Sequence, residues 1–125
     1  MTLFKNIMSY HIQLYRTEVM KKYLDAQKED FFENEENILP FTLEQKDYLK
    51  NRLLKYSYFI ENEKGDNILF GFEDDKSVSA LLTNNCLSFS ATGEGIFEIS
   101  MTSSEFTDNE EFKKFDPQNG GWEEI

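Results

Sequence analysis

The stretch SYFIENEKGDNILFGFED, residues 57–74, decides the structural class. Two apolar runs flank Lys64-Gly65-Asp66, and Ile68, Phe70 and Phe72 recur at every second position, the period of a strand with one buried face. Gly65 supplies the positive φ that a tight hairpin needs. Just upstream the period is helical. In TLEQ, residues 42–45, Thr42 and Gln45 stand at capping-box spacing, so each can satisfy an amide that the first turn leaves free. This predicts a helix over 42–56, with Leu49, Leu53 and Tyr56 on its buried stripe and Lys46, Lys50 and Lys55 outward.

Downstream, VSALLTNNCLSFSAT, residues 78–92, repeats the hairpin form. Val78, Ala80 and Leu82 alternate, Asn84-Asn85 suit left-handed turn positions, and Leu87, Phe89 and Ala91 resume the alternation. GIFEISMT, residues 95–102, reads as a further strand with Phe97, Ile99 and Met101 inward, and a short helix is expected near 103–114. Upstream, SYHIQLYRT, residues 9–17, alternates Tyr10, Ile12 and Leu14 against Ser9, His11 and Gln13 and predicts the first strand. Thr17 is placed to cap a helix over 18–30 whose inner face holds Met20, Tyr23, Leu24, Gln27 and Phe31. FFENEENILPF, residues 31–41, loses the period and reads as an acidic connection anchored by apolar residues at both ends. The expected fold is α+β: a mainly antiparallel sheet of five to six strands with two helices packed on one face, in a single domain over 1–125 with residues 1–7 as a flexible lead-in.

A chain of 125 residues buries roughly two-thirds of its unfolded surface, enough for one core. Twelve Phe and six Tyr distinguish it from disordered chains, which lack the side chains that offset ordering entropy. One cysteine excludes an intrachain disulfide, and neither a signal-type N-terminus nor a membrane-length apolar run is present, which points to a cytoplasmic location and no membrane partner. The net charge of -11 is unevenly placed. Residues 1–60 hold nine acidic and nine basic side chains, whereas residues 61–125 hold fifteen acidic and four basic, a difference of eleven that accounts for the whole excess. Such a field repels nucleic-acid phosphates and attracts cationic partners.

Motifs that carry chemistry are scarce. His11 stands alone, without a second ligand at zinc spacing, and suits a surface or hydrogen-bonded structural role. Cys86 has no basic sequence neighbour to activate it and reads as an inert, half-buried thiol. Gly93-Glu94-Gly95 lacks the third glycine of a dinucleotide fingerprint, and no acidic run has calcium-loop order. No metal site and no cofactor are therefore expected. Three acidic groups remain: Glu33, Glu35 and Glu36; Glu73, Asp74 and Asp75; and Glu105, Asp108, Glu110 and Glu111. They serve either as solvated loop charge or as a surface for a basic protein. Trp122 follows Asp116-Pro117 and Asn119-Gly120-Gly121, turn chemistry that aims it back at the body, either to pack there or to anchor a partner.

At SYHIQLYR (9–16), FFENEENILPFT (31–42), LLKYSY (53–58), ALLT (80–83), IFEISMTSSEFTD (96–108) and KFDPQNGGWEE (114–124), the chain resembles a family of small acidic bacterial proteins of uncharacterised role. The likeness spans about residues 8–125. It implies Met8 as an ancestral start, because that family commonly opens Met-Ser-Tyr, and it brings no catalytic motif. In class such proteins are similar to immunity proteins, which neutralise a delivered toxin. The functional expectation is a non-enzymatic inhibitor of a basic toxin such as a nuclease, acting as monomer or homodimer. Its partner-binding residues would be Glu73, Asp74, Asp75, Glu105, Asp108, Glu110, Glu111 and Trp122. The alternatives are a small enzyme with a carboxylate-based site using His11 or a tyrosine, and a structural or regulatory homodimer joined at an edge strand.

Overall fold

The computed structural model describes residues 9–123. The expected lead-in over 1–7 and the start at Met8 lie outside the described residues. Strand β1 (Tyr10–Arg16) buries Ile12 and Leu14 on one face and turns His11, Gln13 and Tyr15 to the other. Helix α1 (Thr17–Ala26) follows directly, then two short 3-10 turns (Phe31–Glu33 and Glu35–Asn37) and helix α2 (Leu43–Lys55). Four strands come next: β2 (Tyr58–Lys64), β3 (Asn67–Phe72), β4 (Ser79–Leu82) and β5 (Leu87–Ala91). Helix α3 (Gly95–Glu105), β6 (Phe112–Asp116) and β7 (Gly121–Trp122) complete the order.

All seven strands form one sheet, ordered β2-β3-β4-β5-β1-β6-β7, in which every pairing is antiparallel. The fold is therefore α+β, as the sequence predicts, with one more strand and one more helix than expected. Helices α2 and α3 cover the face that carries Ile12, Leu14, Phe70, Leu82, Leu87 and Phe89; Leu49, Leu53, Ile99 and Phe106 join those residues in one buried cluster. Helix α1 packs on the opposite face, where Tyr15, Phe115 and Trp122 project.

The locally encoded elements form as read. In α2, Thr42 Oγ1 accepts from the Gln45 amide at 3.0 Å while Gln45 Oε1 accepts from the Thr42 amide at 2.9 Å. Leu49 and Leu53 are fully buried, Tyr56 partly so. The β2–β3 hairpin turns at Gly65, whose φ is +62°. Phe31 and Phe41 anchor the two ends of the acidic connection.

Other elements depart from expectation. Residues 95–102 are helical, not a strand: Ile99, Thr102, Ser103 and Phe106 are buried at helical spacing, whereas Phe97 is 73% and Met101 48% exposed. The N-terminus of α3 lies so close to β4 that a Cβ at Gly95 would stand 2.6 Å from Val78 Cγ2, a contact open only to glycine. The helix expected near 103–114 ends at Glu105, and β6 occupies its last residues with Phe112, Lys114 and Asp116 buried. Thr17 does not cap α1. It is the first helical residue, and its hydroxyl donates to the Glu110 carbonyl at 2.6 Å. That helix stops at Ala26 because Gln27 is left-handed, and it buries Val19 while leaving Leu24 exposed. Asn84 and Asn85 do not take positive φ; the β4–β5 turn is held instead by Thr83 Oγ1, which accepts from the amides of Asn85 and Cys86.

Candidate partner-binding surface

The outer face of α2 presents Glu44, Tyr48 and Arg52 in a row, because residues four apart lie one above another on a helix. The loop from α3 to β6 runs alongside. Arg52 grips it with a bidentate pair, Nη1 donating to Asp108 Oδ1 at 2.8 Å and Nη2 to Oδ2 at 2.9 Å, the fork geometry that makes arginine–carboxylate pairs strong. Its guanidinium lies 4.7 Å from the centre of the Phe106 ring, donates to the Tyr48 hydroxyl at 2.8 Å and reaches the Glu105 carbonyl at 3.1 Å. Tyr56 donates to Glu105 Oε1 at 2.7 Å. The hydrogen bonds to Asp108 push the Arg52 pKa up, and the same bonds hold the Asp108 carboxyl below its ordinary value.

Two turns before Arg52 on α2, Gln45 Nε2 donates to Glu111 Oε1 at 3.0 Å. Tyr48 stacks almost parallel on buried Phe112, with the ring centres 6.3 Å apart, so its ring is fixed from below and its hydroxyl from the side, yet it stays 39% exposed. Thr42, Glu44, Gln45, Tyr48, Asn109 and Glu111 line an open hollow of about 450 Å3. A neighbouring hollow of about 300 Å3 shares Tyr48 and is walled by Asn51, Arg52, Lys55 and Tyr56.

Of the residues singled out in sequence, Glu105, Asp108 and Glu111 are thus brought together beside α2. Glu110 sits among them with φ at +63°, its carbonyl held by Thr17. Glu73, Asp74 and Asp75 form a separate turn between β3 and β4, where Asp75 Oδ1 accepts from the Ser77 amide and the Glu73 amide donates to the Ser57 carbonyl. Among the described residues, no hydrogen bond or ion pair joins this turn to the α2 rim. Among the described residues one ion pair, Arg52–Asp108, links the neutral front of the chain to its acidic back. Tyr48, Arg52 and Gln45 were missed in sequence, although the spacing Glu44–Tyr48–Arg52 already placed three polar or aromatic residues on one outward stripe.

Trp122 folds back. Its ring meets Phe115 at 4.9 Å, Tyr23 at 5.6 Å, Tyr15 at 5.9 Å and Phe32 at 6.2 Å between centres, and its buried Nε1 has no hydrogen-bond partner among the described residues. The segment that carries it is tied down by a buried cation: Lys114, only 4% exposed, donates to the Ser100 carbonyl at 3.0 Å and Ser104 Oγ at 2.9 Å and lies 3.6 Å from Glu123. Two residues on, buried Asp116 accepts from Tyr10 at 2.9 Å. Desolvation, with that hydrogen bond, pushes the Tyr10 pKa up to about 12.

His11 lies exposed on the open part of the sheet, 2.9 Å from Ser90 Oγ, and lines neither hollow. Burial pushes the Cys86 thiol up to about 12, which favours its protonated form at neutral pH. Among the described residues, no group of three His, Cys, Asp or Glu is placed to hold a metal ion, and no helix is long and apolar enough to cross a membrane. The fold and rim together define an antiparallel α+β protein with an acidic, aromatic-floored surface. Comparison with protein-family models, curated proteins and solved structures finds no match to the chain.

Proposed function

We propose that this chain is a non-enzymatic, cytoplasmic binding protein that neutralises a basic protein, as an immunity protein covers a toxin such as a nuclease. The observation that supports this most is the rim beside α2, where Glu44, Glu105, Asp108, Glu110 and Glu111 are all exposed near Tyr48 and, among the described residues, Arg52 is the one cation in an ion pair with them. Carboxylates held by the helix and its clasp, as those of Glu105, Asp108 and Glu111 are, can occupy a site built for phosphates without a large ordering cost. Glu73, Asp74 and Asp75, on a second exposed turn, add to the field that steers a cation inward. Tyr48 takes the anchor role for which Trp122 was the sequence candidate, since tyrosine serves well at interface centres and Trp122 is spent on packing.

The sheet edges do not favour a homodimer joined strand to strand. Edge strand β2 carries a register break between Ile60 and Asn62 together with Glu61, Glu63 and Lys64, and edge strand β7 is two residues long. Bulges, charges and short edges are the features that prevent such pairing.

Affinity capture from the native host at low and at high salt tests the proposal. It expects a cationic protein retained at low salt, with its activity suppressed in the complex. Retention of no cationic protein at either salt would refute it.

A further inference from the structure

We infer that the hollow walled by Glu44, Tyr48, Asn109 and Glu111 is a receptor for one arginine side chain of the partner; this rests on the binding-protein reading above and gives it a chemical address. The molecule contains the pattern already filled. One turn along α2, the guanidinium of Arg52 is seated between an aromatic face (Phe106), tyrosine hydroxyls (Tyr48 and Tyr56) and a carboxylate (Asp108). The hollow repeats those components with no cation among its lining residues: an aromatic ring in Tyr48, carboxylates in Glu44 and Glu111, and an amide in Asn109.

The ring is preorganised, stacked on Phe112 and held at its hydroxyl by Arg52, so a planar cation laid against it has little to reorder. Glu111 is also oriented: Oε1 is engaged by Gln45, which leaves Oε2 to accept from an incoming donor. A planar guanidinium on a carboxylate and an aromatic face is arginine chemistry rather than lysine chemistry, because the ammonium cannot stack and holds its water more tightly. The hollow brings together two carboxylates, Glu44 and Glu111, and among the described residues no group of three His, Cys, Asp or Glu is placed to hold a metal ion.

The test is an NMR titration of the whole protein with a blocked Gly-Arg-Gly peptide, alongside its lysine and citrulline counterparts. Citrulline keeps the shape of arginine and removes the charge. Saturable shifts confined to residues 42–48 and 109–111 are expected for arginine, at least about threefold tighter than for lysine and absent for citrulline. Glu111→Gln and Glu44→Gln should each weaken the arginine peptide by about threefold, within the range of exposed ion pairs, while Glu73→Gln/Asp74→Asn/Asp75→Asn leaves it unchanged. Tyr48→Leu should abolish the shifts, with circular dichroism confirming that the variant folds. Equal response to citrulline, shifts scattered over every acidic turn, or no saturable shift would overturn the receptor. The two readings fail separately: a captured basic protein that binds Glu44→Gln/Glu111→Gln as tightly as the wild type removes the receptor and leaves the inhibitor reading intact. A peptide that binds here while the host yields no cationic partner does the reverse.

Discussion

Where α2 and α3 cover the sheet, Leu49, Leu53, Ile99 and Phe106 reach full burial against Ile12, Leu14, Leu87 and Phe89. Where α1 covers it, Tyr15, Tyr23, Phe32, Phe115 and Trp122 meet in tilted and edge-to-face pairs, with Tyr15 stacked on Phe32, and all five stay partly exposed. The first face is closed by area removed from water and carries most of the stabilisation. The second depends on aromatic packing around Trp122, which sits on a strand of two residues, so it can loosen while the first stays closed. The acidic rim stands on the first, firmer side, which suits a surface that must present fixed charges.

The comparison breaks most sharply at Leu53. Truncation to alanine leaves a cavity between α2 and the sheet, and a loss of about 3 kcal/mol is expected in denaturant unfolding followed by far-UV circular dichroism. On the other face, Trp122→Ala should cost less, about 2 kcal/mol, because the ring is only partly buried. Its signature should also be local, with faster amide exchange in α1 and β7 and unchanged protection in β3, β4 and β5. Uniform loss of protection would mean that the two faces are one cooperative unit. Thr42→Ala removes the hydroxyl half of the capping box and should cost about 1 kcal/mol, read by the same denaturation.

The smallest effect belongs to Asp108→Asn. Its partner Arg52 is mostly buried, but the carboxylate is largely exposed, so the pair should contribute under about 1 kcal/mol after solvent screening. The folded protein holds the Asp108 pKa below its unfolded value, so this contribution is present above about pH 4 and is lost as the pH falls through the lowered value. Wild type and Asp108→Asn should therefore converge in stability in acid and separate toward neutrality.

Features encoded within a few residues were legible in the sequence. The capping box spans four residues, the β2–β3 turn needs one glycine, and Ile68, Phe70 and Phe72 share a face by alternation alone. Residues 95–102 misled because Ile99 belongs to both the strand and the helix period. The helix buries Ser103 and Thr102 at no cost in unpaired groups, because their hydroxyls are satisfied locally, on the Ile99 carbonyl and the Glu98 carboxylate. Strand β6 was illegible for the opposite reason. Lys114 and Asp116 face the buried side, and the partners that make this tolerable, Ser100, Ser104, Glu123 and Tyr10, come from elsewhere in the chain. Of the carboxylates on the rim, Glu105, Asp108, Glu110 and Glu111 were singled out in the sequence and Glu44 was not, while the Arg52 clasp joins residues 56 apart and leaves no local trace.

The central claim, that fixed surface carboxylates draw in and hold a basic protein, meets its most direct test in the association rate constant with the captured partner, measured across salt. Electrostatic steering predicts a fall of at least about tenfold between ~20 mM and ~300 mM salt, smaller in Glu44→Gln/Glu111→Gln. An association rate indifferent to salt would contradict it.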